Sequence, residues 1–267
     1  MNHLEPAHRS ALAPAAALTA AIFGVFLTNA DANAATARLI IGSDDDRQDN
    51  APLQAGAATN QSLNRTDIIT GGLGNDVMFG LNGNDVMFGR AGRDIILGGP
   101  DGGLPPGGPP NSDVMFGGPD NDVNLWAPGD GSEVFIGGSG LRDALVFGAT
   151  DRELVADPVT GVKLPTLLTG VPGFPHGIPT ADVSGVTSFC TIEVSPLPEY
   201  QFLVRFLGVA GNLIVTLRVS GVEQVFCSGQ GGGAITFADL TDPFPSFVVV
   251  SHQEVSQLNS LVGRMIR

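Results

Sequence analysis

From Asp67 to Leu97 the sequence repeats every nine residues, and a carboxylate returns at the same place in each period. Asp67-Ile68-Ile69-Thr70 ends one unit, and Gly71-Gly72-Leu73-Gly74-Asn75-Asp76-Val77-Met78-Phe79 is the next. Gly80-Leu81-Asn82-Gly83-Asn84-Asp85-Val86-Met87-Phe88 and Gly89-Arg90-Ala91-Gly92-Arg93-Asp94-Ile95-Ile96-Leu97 follow. A fixed period constrains architecture more than any single residue does. Each unit is one small structural element that buries its apolar face only by stacking on its neighbours.

Each unit divides into a six-residue polar turn and a three-residue apolar strand. Glycine dominates the first and fourth positions, where it permits close backbone approach and positive φ. Val-Met-Phe and Ile-Ile-Leu are strand formers whose middle side chain points to one face. Two units therefore make one coil, and units n and n+2 lie above one another with their aspartates stacked on one edge. Stacked carboxylates repel, and a glycine-rich chain loses much conformational entropy on ordering. A bound cation offsets both costs. Oxygen ligands in a flexible turn suit calcium better than magnesium, which demands a tight octahedron. The repeat contains no Cys or His, so zinc and softer metals fit poorly.

Gly71 to Phe79 resembles, at every specified position, the glycine-rich nonapeptide of the RTX (repeats-in-toxin, haemolysin-type) calcium-binding proteins, whose repeats form a parallel β-roll. The next two units keep the glycines at positions one and four and the aspartate at six, but carry Leu81 and Arg90 at position two. The resemblance implies that position-six aspartates of adjacent coils clamp each ion with help from backbone carbonyls of the turn. That nominates Asp67, Asp76, Asp85, Asp94, Asp113 and Asp122, with Gly71, Leu73, Asn75, Gly80, Asn82 and Asn84 from the turns. The bland alternatives are a Gly/Asp-rich linker, which would not hold Met and Phe at fixed offsets from each aspartate, and a metal-free solenoid.

Beyond Leu97 the pattern degrades and recovers. Residues 98–110 read as a broken unit, with Gly103 where the aspartate belongs and Pro105-Pro106 where the strand belongs; it counts as half a coil or bulges out as a loop. Asp113-Val114-Met115-Phe116 restores the pattern, followed by units around Asp122, Glu133 and Asp143. If the broken unit counts as half a coil, parity places Asp76, Asp94, Asp113 and Glu133 on one edge. Asp67, Asp85, Asp122 and Asp143 then share the other, and Asp101 partly fills a gap. The expected sites are Asp67 with Asp85, Asp76 with Asp94, then Asp94 with Asp113. Glu133 and Asp143 are weaker candidates, because their spacing departs from nine.

The formal net charge of −14 excludes a phosphate-neutralising nucleic-acid surface and suits a cation binder. Residues 1–34 read as a secretory signal, with Arg9 before an apolar run and Ala32-Asn33-Ala34 as a cleavage site. A retained anchor over Ala11 to Ala30 is the alternative. Such a leader departs from the RTX pattern, in which many members are exported through a carboxyl-terminal signal. Residues 35–66 read as a lead-in cap and linker, with a strand near Ala37 to Ile41; the roll spans 67–149.

From residue 150 the nine-residue beat is gone. Residues 150–267 read as a β-rich carboxyl-terminal domain, with strands over 189–194, 201–207, 212–219, 222–227, 234–238 and 247–250. Val209-Ala210-Gly211-Asn212 forms a hairpin turn, and Phe202, Val204 and Phe206 share a face. Ser251-His252-Gln253-Glu254 is a capping box before a short terminal helix. Cys190 and Cys227 either pair, as an exported protein permits, or remain buried thiols. The fold class is all-β, an RTX-like parallel roll followed by β-rich strands.

No HExxH helix, GxSxG elbow, phosphate-binding loop or dinucleotide fingerprint occurs. The chain reads as an exported, calcium-dependent structural or binding protein. Alternatives are a secreted enzyme with its catalytic part in 151–267, or a surface adhesin or surface-layer component that meets a cell-surface glycan or protein partner.

Overall fold

The computed structural model describes residues 37–41, 67–80, 83–99, 112–150, 155–156, 163–164, 167–179, 181–183 and 186–250. The expected leader, the capping box, the terminal helix, Asn82 and Asp101 lie outside the described residues. No helix occurs among those described. Nine strands build the repeat region: β1 (Leu39–Ile41), β2 (Ile68–Thr70), β3 (Val77–Phe79), β4 (Val86–Phe88), β5 (Ile95–Leu97), β6 (Val114–Gly118), β7 (Val123–Trp126), β8 (Val134–Gly138) and β9 (Ala144–Phe147). The apolar triplets following each acidic residue are the strands, as their β-branched and large side chains dictate. Each polar turn then carries the chain across to the opposite sheet.

Odd-numbered strands pair in parallel in one sheet, in the order β1-β3-β5-β7-β9, and even-numbered strands pair in the other, β2-β4-β6-β8. Register follows the repeat, with Met78 opposite Ile96 and Met87 opposite Met115. Because neighbouring residues of a strand point to opposite faces, the middle residue of each triplet faces inward. Ile40, Ile69, Met78, Met87, Ile96, Met115, Phe135 and Leu145 accordingly form one core between the sheets. Asn124 interrupts this column; its Nδ2 donates to Met115 Sδ at 2.8 Å, while its buried Oδ1 accepts no hydrogen bond.

After six two-residue strands between residues 149 and 182, six longer ones follow: β10 (Phe189–Val194), β11 (Phe202–Leu207), β12 (Leu213–Ser220), β13 (Gln224–Ser228), β14 (Ile235–Asp239) and β15 (Val248–Val250). The expected hairpin joins β11 to β12, with Gly208 N–H donating to Asn212 O at 2.8 Å and Gly211 at φ 82°. These strands do not form a sheet of their own. β12 adds in parallel to β8 and β13 adds in parallel to β9, so both sheets cross the change in sequence character at residue 150. Beyond those two strands the pairing turns antiparallel, to β11 and β10 in one sheet and to β14 and β15 in the other.

The core between the sheets continues to the same end, where Trp126, Phe147 and Phe206 pack with ring centroids 4.8–5.3 Å apart. Cys190 on β10 and Cys227 on β13 form a disulfide that ties the two sheets together. The outward face of the odd-numbered sheet is buried as well. Phe174, Ile178, Ala181 and Val183, from the turn-rich stretch after residue 150, cover Val77, Ile95, Val123 and Val146. The other sheet leaves its outward face half-exposed, and Phe88 stacks on Phe116 there at 4.9 Å.

Candidate metal centre

Where the chain enters each strand, the preceding acid lies inside the turn. Asp67, Asp76, Asp85, Asp94, Asp113, Asp122, Glu133 and Asp143 are all buried. The aspartates form two ladders, in which the backbone N–H of one donates to the carboxylate in the next coil. Along one edge Arg38 N donates to Asp76 Oδ1 (2.7 Å), Asp76 N to Asp94 Oδ1 (2.7 Å), Asp94 N to Asp122 Oδ1 (2.8 Å) and Asp122 N to Asp143 Oδ1 (2.7 Å). Asp143 N then donates to Glu223 Oε2 at 2.8 Å. Along the other edge Asp67 N donates to Asp85 Oδ1 (2.8 Å) and Asp85 N to Asp113 Oδ1 (2.7 Å).

This arrangement corrects the parity expected across the broken unit. Asp85 stacks with Asp113, and Asp94 with Asp122, each pair 28 residues apart where the earlier rungs are 18 apart. The broken unit therefore does not count as half a coil, because β6, the next described strand after β5, lies on the opposite sheet. Asp94 and Asp113 stand on different edges, so the site expected between them is not formed. Glu133 stays in the column of Asp113, whose backbone oxygen accepts from Val134 N at 2.9 Å, and Asp143 stays in the column of Asp122.

Whether these residues fit a hard cation is tested by their second oxygens. Oδ2 of Asp94 and Oδ2 of Asp122 are buried and accept no hydrogen bond. Burying a charged oxygen without a partner is costly. The position-one glycines show what lies around these atoms. A Cβ on Gly89 would sit closer than 3.0 Å to both Asp94 Oδ2 and Gly117 O; one on Gly117 would meet Asp122 Oδ2 and Gly137 O as closely. A carboxylate oxygen and a carbonyl of the next coil thus converge beside each glycine. The donor set is all oxygen, which suits calcium. Among the described residues no three His, Cys, Asp or Glu side chains gather into one group; the carbonyls beside the position-one glycines are the further oxygens at hand.

The electrostatics agree. Burial, with neighbouring carboxylates adding to it, pushes Asp122 up to about 10. Asp94 is raised well above the ordinary carboxylate range, burial being again the main cause. Asp143 is raised by burial to about 7, and Asp76 is raised by burial against opposing backbone hydrogen bonds. Without a cation the Asp122 carboxyl holds its proton at neutral pH; a divalent ion removes the reason for these upward shifts.

The other nominated residues occupy the turns. Gly71 and Gly80 take the same position-one place, each close to its own unit's aspartate. Leu73 is exposed at the third position. Asn75 Oδ1 accepts from Arg93 N (2.9 Å), Asn84 Oδ1 from Ser112 N (2.9 Å), and Asn121 Oδ1 from Leu141 N and Arg142 N. The side chains of these asparagines stitch adjacent turns. The sequence reading missed that role, and it missed Glu223, whose only signal is a glycine two residues before an acid and an apolar run.

Among the described residues two turn positions stand in the left-handed region without being glycine, Arg90 at φ 75° and Asp120 at φ 80°. Asp120 tolerates this backbone better, and its Oδ2 accepts from Gly92 N at 3.3 Å. Arg90 is exposed and occupies the second position, where Gly118 and Gly138 stand in later units. Relieving left-handed strain is worth about 1–2 kcal/mol, and glycine's extra chain entropy returns about 0.5–1 kcal/mol. Arg90→Gly is expected to stabilise the calcium-loaded protein by about 0.5–1 kcal/mol in chemical denaturation, and a lowered midpoint would contradict this account of the turn.

Residues 63–99 match the family model of the RTX calcium-binding nonapeptide repeat (4 copies). No curated protein and no solved structure matches the chain. The matched segment is an RTX repeat tract of the calcium-binding type, and β6 to β9 continue the same coil past its end.

Proposed function

We propose that this protein is an exported calcium-binding structural or binding protein whose roll closes when calcium enters the carboxylate ladders. The observation that carries the reading is the buried, unpartnered second oxygen of Asp94 and Asp122 facing a carbonyl of the next coil. The secretory pattern of residues 1–34 supports a destination rich in calcium, and the disulfide suits an oxidising compartment. In a low-calcium cytosol the chain stays open with its carboxylates ionised in water; outside, metal binding and folding proceed together. At a free calcium concentration ten times the dissociation constant, each site adds about 1.4 kcal/mol. Several sites therefore decide whether the roll folds.

Calorimetric titration of the full chain with calcium, with magnesium as control and circular dichroism in parallel, tests the reading. Saturable binding of several calcium ions with a gain of β-signal is expected. A chain that binds none at millimolar calcium, or whose dichroism ignores chelator, would make the roll a metal-free solenoid.

A further inference from the structure

The repeat-like geometry does not end with the repeats. Ser220 closes β12 in one sheet and Gln224 opens β13 in the other, so Gly221-Val222-Glu223 is a crossing turn, as the polar half of every unit is. Gln224 stands opposite Ala144 in parallel register, and Glu223 therefore precedes its strand as Asp143 precedes β9. Glu223 N and Gln224 N donate to Asp143 O at 2.9 and 3.0 Å, repeating the bond from Ala144 N to Asp122 O. Glu223 Oε2 accepts from Asp143 N, as Asp143 Oδ1 accepts from Asp122 N.

Gly221 completes the correspondence. The point where a Cβ on Gly137 would lie is closer than 3.0 Å to both Asp143 Oδ2 and Gly221 O. In the coil before it, the same point on Gly117 is flanked by Asp122 Oδ2 and Gly137 O. Gly221 thus stands in the column of position-one glycines and offers its carbonyl to the carboxylate below. Asp143 is fully buried, and its Oδ2 accepts no hydrogen bond. This orphaned oxygen points to a ligand independently of the carboxylate pair.

We propose that Gly221 to Glu223 is a shortened repeat turn, and that Asp143, Glu223 and the Gly221 carbonyl form a terminal site for a hard divalent cation where the roll meets the carboxyl-terminal strands. The turn is three residues shorter between glycine and acid than a full unit, and the longer glutamate side chain makes up part of the reach. The inference rests on the reading of the roll as a calcium binder. It adds a ligand some 80 residues beyond the last unit it serves, outside the nonapeptide pattern. A cation there joins the two halves of the chain, since it needs an oxygen from each.

The test is the number of calcium ions bound by the full chain, wild type against Glu223→Gln, by equilibrium dialysis with metal analysis. Glutamine keeps an oxygen that accepts from Asp143 N and removes only the charge. One ion fewer than wild type, with unchanged β-dichroism in calcium, is expected. An equal count would overturn the terminal site and reduce Glu223 to a cap on the ladder, while leaving the calcium roll intact. A wild-type chain that binds no calcium would remove both readings. Should Glu223→Gln fail to fold, wild-type crystals soaked in a lanthanide decide the matter. An anomalous peak between Asp143 and Glu223 is expected, and peaks along the interior ladder with none there would overturn the proposal.

Discussion

In chelator, acidification from pH 7 to pH 5 is expected to stabilise the folded protein, and in saturating calcium the same change is expected to weaken it. The sign follows from the raised carboxylates. Asp122 titrates near 10 and Asp143 near 7 in the fold, against 3.8 for an ordinary aspartate. Between their unfolded and folded values each binds a proton in the native state and none in the unfolded state. Stability is then fully present below the ordinary value and is lost as pH rises through the folded one. Each such group contributes about −1.4 kcal/mol per pH unit. Asp122 and Asp143 together give a change on the order of 5 kcal/mol between pH 5 and pH 7, and Asp94 adds to it in the same direction. That is comparable to the whole stability of a typical domain. With calcium bound the carboxylates must be ionised, so protons compete with the metal and binding releases them. Denaturation midpoints measured at both pH values, with chelator and with calcium, read the effect directly. A chelated protein indifferent to pH over this range would mean that the ladders are open to water.

Breaking the disulfide is expected to cost about 4 kcal/mol, since Cys190 and Cys227 are 37 residues apart and the chain-entropy model assigns that much to a loop of this length. The location adds to the consequence. The bond joins β10, the last strand of one sheet, to β13, which lies against β9 in the other. Both cysteines belong to the core that also holds Phe206 and Trp126. The double variant Cys190→Ser with Cys227→Ser also leaves two hydroxyls in that core. Its denaturation midpoint in calcium is expected to fall accordingly, and the calcium concentration needed for half-folding to rise. A variant with the wild-type calcium dependence would show that the roll folds without help from its carboxyl-terminal end.

Much of the architecture was legible before any coordinates. Asp67 to Leu97 predicted coil, strand triplets and buried methionine column correctly, because a nine-residue unit sets its own turn and strand locally. The strands from Phe189 to Val250 and the hairpin at Gly211 were legible for the same reason. Parity beyond Leu97 was not, since whether residues 98–110 make half a coil or leave it depends on which sheet receives β6. Nor was the use of asparagine side chains between turns, which needs the neighbouring coil's N–H in place.

The sequence by itself determined the repeating unit: where each acid sits, which side chain of each triplet turns inward, and that the units are of the calcium-binding nonapeptide type. Only the tertiary structure decided how the chain is finished. It extends both sheets with β12 and β13, lays Phe174 and Ile178 over the odd-numbered sheet, and sets Glu223 on Asp143 across 80 residues. The physical reason is range. A period is enforced by steric and hydrogen-bonding preferences within a few residues. The pairing of distant segments is chosen by whichever exposed strand edge and apolar face remain to be covered once the coils have stacked.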